Sequence, residues 1–371
     1  MQIKVGSVLL LMLLLAPFWG NTQSLFSGFE HLFTTPKVYV IHRSGDEIVL
    51  DGKPNEKQWK QAAWSDEFED IEGAGKPSPL YSTHFKMLWD EENLYIYAEL
   101  EEPHVWAYYD KQDMIVFHEN DFEVFIDPDR DTHSYYEFEV NARNTLFDLV
   151  LNKPYRNGGP ADIGWNAVDF ACEIFVDGTL NNPDDTDKKW GIEMRIPFHS
   201  LSTGEGFVQP ANGDYWKMNF SRVQWQTEAK DGKYVKKINP ETKKSYPEDN
   251  WVWSPQGLIN MHYPERWGLA FFSDKAPGKK QAVEIPQEEI LGKYLWLLYY
   301  KQDQYRRENK KYAATLNELK LPAEYKDTNL TFSIHLETEG NQYRATLEAE
   351  NGVVLSINQE GHFTNQQKNR K

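Results

Sequence analysis

A chain of 371 residues with 40% hydrophobic content has room for one large domain or two ordinary ones, and enough apolar material to bury a core. A net charge of −17 excludes a nucleic-acid partner held through a basic surface, and adhesion to anionic lipid with it. Aromatic residues reach 14%, with 13 Trp and 20 Tyr, a usage that suits β-rich proteins stacking rings against a core or a ligand.

In chain order, Lys4 precedes an apolar run from Val8 to Phe18, followed by Gly20, Asn21, Thr22, Gln23 and Ser24. This predicts a cleaved secretory signal over residues 1–24 and an exported protein, periplasmic or extracellular. The run is short for a bilayer span, so no membrane association is expected beyond it. No cysteine follows it to accept lipid. Cys172 is the only cysteine in the chain, so an internal disulfide is impossible and the fold must stand on its core.

Val38-Tyr39-Val40-Ile41 reads as a first strand and Ile48-Val49-Leu50 as a short second one, before an Asp51-Gly52 turn and a helical turn carrying Trp59. Thr83 to Trp89 and Leu94 to Leu100 alternate on either side of Asp90-Glu91-Glu92-Asn93, a hairpin signature. Further strands are predicted at 121–127, 135–141, 145–151, 168–176, 189–196, 215–225 and 267–272. Many short strands with few helices predict a mainly β protein, an antiparallel β-sandwich over residues 38–273. The Lys-rich stretch 227–250 reads as a surface loop and 274–287 as a linker. Residues 288–371 read as a small α+β module. Ile290, Leu291, Tyr294, Leu295, Leu298 and Tyr299 recur at helical spacing, a short second helix starts at Thr315, and a three-stranded meander follows at 332–336, 343–347 and 353–357.

The strand pattern at 121–127 places Phe122, Val124 and Ile126 on one face and Asp121, Glu123, Phe125 and Asp127 on the other. At 135–141, Tyr136, Phe138 and Val140 oppose Tyr135, Glu137, Glu139 and Asn141. Two strands that each present acids, an amide and rings on one face make a polar ligand surface or, equally on pattern alone, a solvated sheet face. Paired carboxylates such as Glu123 and Glu139 also permit a hydrolytic reading, in which an acid and a base or nucleophile cleave an O-glycosyl bond. Asp127, Asp129 and Asp131, spaced at i, i+2 and i+4, form a candidate structural calcium loop, although the glycine and the distal glutamate of an EF-hand are missing.

The motif order resembles carbohydrate-binding module family 9. The resemblance is carried by Asp51-Gly52 with Trp59, by Met87 through Ile96, by the strands at 121–127 and 136–141, and by Trp190 through Phe198. Met218 through Arg222, Trp251-Val252-Trp253-Ser254 and Pro264 through Gly268 complete it. It implies a DOMON-like, immunoglobulin-like sandwich that clamps a sugar ring between aromatic planes and hydrogen-bonds its hydroxyls. The partner implied is an oligosaccharide or polysaccharide, and the role is non-catalytic binding in carbohydrate catabolism. Carried over position by position, the stacking residues fall near Phe117 and Met261, and the polar positions on Glu123, Glu139, Asn141 and the Ser221-Arg222 neighbourhood. Glu139 stands where the family has a guanidinium, and Met261 offers no flat platform. Trp225, Trp253 and Trp165 are the replacement platforms at hand, and Arg222 the replacement cation. A cell-envelope scaffold without sugar binding, its C-terminal module holding a protein partner, is the third reading.

Overall fold

The computed structural model describes residues 25–203, 206–207, 209–326 and 330–366. The predicted signal segment lies outside the described residues. From Leu146–Leu151 the sheet passes antiparallel through Tyr135–Asn141, Asp121–Asp127, Tyr215–Gln224 and Gly268–Ser273. Val38–Arg43 then pairs in parallel with Gly268–Ser273 on one side and Thr83–Trp89 on the other. Beyond it Thr83–Trp89, Asn93–Glu101, Lys189–Pro197 and Ala171–Asp177 run antiparallel. The path curls until its two halves face each other. Phe122, Val124, Ile126, Phe138 and Phe220 from one half meet Phe85, Met87, Ile96, Ile192 and Met194 from the other in the main core. The mainly β, sandwich-like prediction therefore holds. The parallel strand at its seam was not legible, because alternation of side chains carries no information about strand direction.

The Asp51-Gly52…Trp59 motif has a local cause. The buried Glu193 carboxylate accepts hydrogen bonds from Asp51 N (2.9 Å), Gly52 N (3.1 Å) and Trp59 Nε1 (2.7 Å), so the turn and the helix Lys57–Gln61 wrap one anion. Gly52 sits at φ 74°, and a Cβ there would lie 2.7 Å from the Ile174 backbone. Ile48 to Leu50 run alongside without joining a strand.

Three sequence expectations change. The stretch 227–250 is not a bare loop: Thr227–Lys230 and Lys233–Lys236 form a hairpin pinned by buried Tyr234, and Asp249–Val252 joins the sheet beside Tyr215–Gln224. Within 274–287, Val283 and Ile285 pack on Tyr215, Leu269 and Phe271, so much of the linker lies against the sandwich. No helix starts at Thr315; residues 315–320 form turns in which Thr315 and Glu318 hydrogen-bond each other.

The C-terminal helix, Gln287–Asn309, opens with Glu288 and Glu289 and closes with Arg306 and Arg307, charges that favour the helix dipole at each end. Leu291, Leu295, Trp296, Leu297, Leu298, Tyr299 and Tyr300 are all buried, a wider face than one amphipathic stripe. One side meets the antiparallel sheet built on Thr331–Glu339, Gln342–Ala349 and Val354–Asn358. Residues 25–33 cover another, with Phe26 on Tyr294 (ring centroids 5.6 Å apart) and Phe29 on Tyr300 (6.3 Å). The chain thus brings its first described residues onto its last module.

Candidate functional site

Every residue of Asp121–Asp127 and Tyr135–Asn141 is buried, which rules out the solvated-face reading of their acids. Their second faces lie outside the main core, beneath loops that carry Ile71, Met261 and Trp267. Between those loops and the sheet runs an open groove of about 500 Å³, a size suited to a small ligand. Glu123, Glu137 and Glu139 reach it from the floor, beside Phe125, Phe147, Leu149 and Val223. Phe117, Ile115, Tyr155, Ile163 and Ile259 line it with between 36% and 71% of their surface open to solvent. Asn250, Asn260, His262 and Glu248 add polar groups.

Register explains the floor. Glu123 stands opposite Glu139 on one neighbour and Ser221 on the other, and Glu137 lies opposite Phe125. Glu139 accepts a hydrogen bond from Phe117 N (3.0 Å), which ties the groove's ring to its floor. Trp225 Nε1 donates to Phe117 O (2.9 Å), and Lys236 Nζ sits 3.1 Å from the centre of the half-buried Trp225 ring. The hairpin therefore braces Phe117 from behind.

Burial dominates the electrostatics. It pushes Glu123 up to about 7, with the Ser221 hydroxyl pulling the other way. Burial, then the Glu123 charge, raises Glu137 and Glu139 well above the usual carboxylate range. Asp121, behind them on the same face, is raised for the same two reasons. Burial and the charges of neighbouring acids push all four toward the protonated form, so the cluster titrates as a coupled set. A protonated carboxyl donates one hydrogen bond and accepts others, and an ionised one only accepts. A floor that mixes the two meets a ligand hydroxyl in either sense.

Of the residues singled out in the sequence, Phe117, Glu123 and Glu139 line the groove together with Met261, and Trp225 buttresses it. Four others do not face it. Asn141 is fully buried, donating to Tyr109 O and Glu119 Oε2 and accepting from Arg143 N and Thr145 N. Arg222 lies on the core side, opposite Phe122, with its guanidinium on Glu102 (3.0 Å), Gln224 and Thr83. Trp253 is a core ring packed edge-on to Phe85. Trp165 covers Tyr136 and Phe138, again away from the groove. Arg222 thus fails as the replacement cation for a simple reason: in a strand, the residue after a groove-facing one points to the opposite face.

Asp127, Asp129 and Asp131 do bring oxygens within 4.8 Å of one another. Much of their capacity is already taken. Asp127 accepts from Arg130 N and Thr132 N, and Asp131 from His133 N and His362 Nε2. The turn is a joint between sandwich and module, where Thr132 Oγ1 also donates to Gly361 O (2.7 Å).

Sequence reasoning missed the loop-borne walls. Tyr155, Asn260 and His262 come from turns and loops whose course no periodicity encodes, and Asn250 from the short strand Asp249–Val252 that the sequence reads as loop. Glu137 was legible in principle, since the same alternation that selects Glu139 selects it. Behind the His262 wall Arg156 is half-buried, donating to Glu265 (2.9 Å) and His262 O (3.2 Å) and stacking over Tyr263 (4.1 Å). Its Nε reaches Tyr299 on the C-terminal helix (3.3 Å).

A family model described as carbohydrate family 9 binding domain-like matches residues 50–239, just over half of the chain. The chain belongs to this family. The match takes in the Glu193 anchor and the groove floor, but ends before Asn250, Met261 and His262 complete the walls. Among solved structures, this family 9 chain is similar to a carbohydrate binding module family 9 from Caldicellulosiruptor kristjanssonii in complex with cellotriose. Identity is 16% and the TM-score 0.41, over 67% of this chain and 100% of that one. The same organism's module in complex with glucose gives 16% identity and a TM-score of 0.40, over 65% and 100%. No curated protein matches this sequence.

Proposed function

We propose that this family 9 chain holds an oligosaccharide, or the end of a polysaccharide, in the groove between the acidic floor and Phe117, without cutting it. The observation that carries this reading is the joining of buried hydroxyl-binding groups with an exposed ring in one open groove. Sugars present apolar C–H faces and polar edges, and such a groove offers a surface to each. Glu123 and Glu139 rise side by side from neighbouring strands. Hydrolysis instead calls for carboxyls that flank the scissile bond.

Binding to an oligosaccharide panel, followed by calorimetry on the best ligand, tests the reading. Phe117→Ala is expected to weaken affinity roughly tenfold through lost stacking, and Glu123→Ala by more, at unchanged melting temperature. A blank panel from folded protein would sink the reading and favour the scaffold. Release of reducing ends by wild type, lost in Glu139→Gln, would favour the hydrolytic one.

Export, which rests on the Val8 to Phe18 run, would place this capture in the periplasm or outside the cell, in the service of carbohydrate breakdown. A protein partner of the C-terminal module would meet its outer sheet face, where His335, Glu337, Arg344 and Glu348 point outward, because the helix is covered by the chain itself.

A further inference from the structure

Asp121 has no exposed surface, and neither carboxylate oxygen has a hydrogen-bond partner. The Val223 N–H stabilises its charge somewhat, without the geometry of a hydrogen bond. A carboxylate in that position is costly to keep unless something answers it. The residues nearest to answering it are themselves acids. Oxygens of Asp121, Glu123 and Glu139 all lie within 4.8 Å of one another, a spacing one ion with metal–oxygen distances of about 2.3–2.6 Å spans. Three hard oxygen donors with no nitrogen or sulfur select a calcium-like cation over zinc or copper.

We propose that Asp121, Glu123 and Glu139 form a divalent cation site of calcium type at the floor of the groove. Asp121 supplies the buried ligand. Glu123 and Glu139, which also line the groove, leave the ion's remaining coordination positions facing it. Calcium takes six to eight oxygens, so a bound ion has places for water or for neighbouring hydroxyls of a sugar. That last step rests on the carbohydrate reading of the groove; the cation site itself does not.

The test is calorimetric titration of calcium chloride into the chelator-treated chain, with no sugar present. One saturable event is expected, weakened at least tenfold in Asp121→Asn and in Glu139→Gln and unchanged in Asp129→Asn. Near-ultraviolet circular dichroism verifies that each variant is folded. No calcium binding by wild type would overturn the proposal. So would binding that persists in both folded variants, or that is lost in Asp129→Asn alone, which would place the ion in the 127–131 turn. Oligosaccharide titrations with and without chelator read the carbohydrate proposal separately. Sugar binding without calcium binding leaves that reading standing and this one refuted, and calcium binding with a blank sugar panel does the reverse.

Discussion

Gly268 has no room for a side chain: a Cβ there would lie 2.2 Å from Trp253 Cζ3 and 2.6 Å from Cη2. The indole lies over the bare backbone and fills the corner where Gly268–Ser273 begins. Gly268→Ala should cost about 1–3 kcal/mol or more, read as a lowered urea midpoint at unchanged slope. His262 makes a second prediction at this scale. Burial, helped by the Arg156 charge, holds its imidazole down at about 4. Between that value and the unfolded value near 6.5, the unfolded chain binds a proton that the native one does not. Stability therefore falls as pH drops through that window. Wild type should lose about 2 kcal/mol relative to His262→Gln between pH 6.5 and 4, a figure reduced from the full shift because the ring is partly open to water. Denaturation curves of both proteins across that range measure the difference, and parallel curves would refute it.

Among elements, the decisive contact is the one between the groove's far wall and the C-terminal helix. Arg156 joins them, with Glu265 as its buried counter-ion and Tyr299 at the helix. Tyr300 OH donates to the other oxygen of Glu265. Removing the cation leaves that carboxylate buried beside rings, a situation that typically costs about 3–5 kcal/mol. Arg156→Ala should show that loss in chemical denaturation. It should also weaken sugar affinity, because Tyr155 and His262 O lose their support. A variant that loses stability and keeps full affinity would show that the wall stands without the helix. The same scale shows why some elements were readable and others not. The strands at 121–127 and 135–141 could be placed to the residue because alternation is a local property. The Thr227–Lys236 hairpin reads as a loop because most of its side chains are polar and, in its strands, only Tyr234 is buried.

For the whole molecule, sandwich and module share too many contacts to behave as beads on a string. Lys217 pairs with Glu289 (2.6 Å), His362 with Asp131 (2.9 Å) and Lys153 with Glu360 (2.6 Å), while Thr132 and Arg156 add their hydrogen bonds. Calorimetric unfolding of residues 25–371 should give one cooperative transition; two resolved transitions would show that the interface carries little free energy. The sequence alone determined the strands at 121–127 and 135–141 and which face of each carries acids, because a period of two is set by backbone geometry wherever a strand forms. Only the tertiary structure decided that this surface is a buried groove floor. It alone brought Asp121 within reach of Glu123 and Glu139, and turned Asn141, Arg222 and Trp253 to internal tasks. Those outcomes depend on which loops cover a sheet and which halves curl together, and long-range packing leaves no local pattern to read.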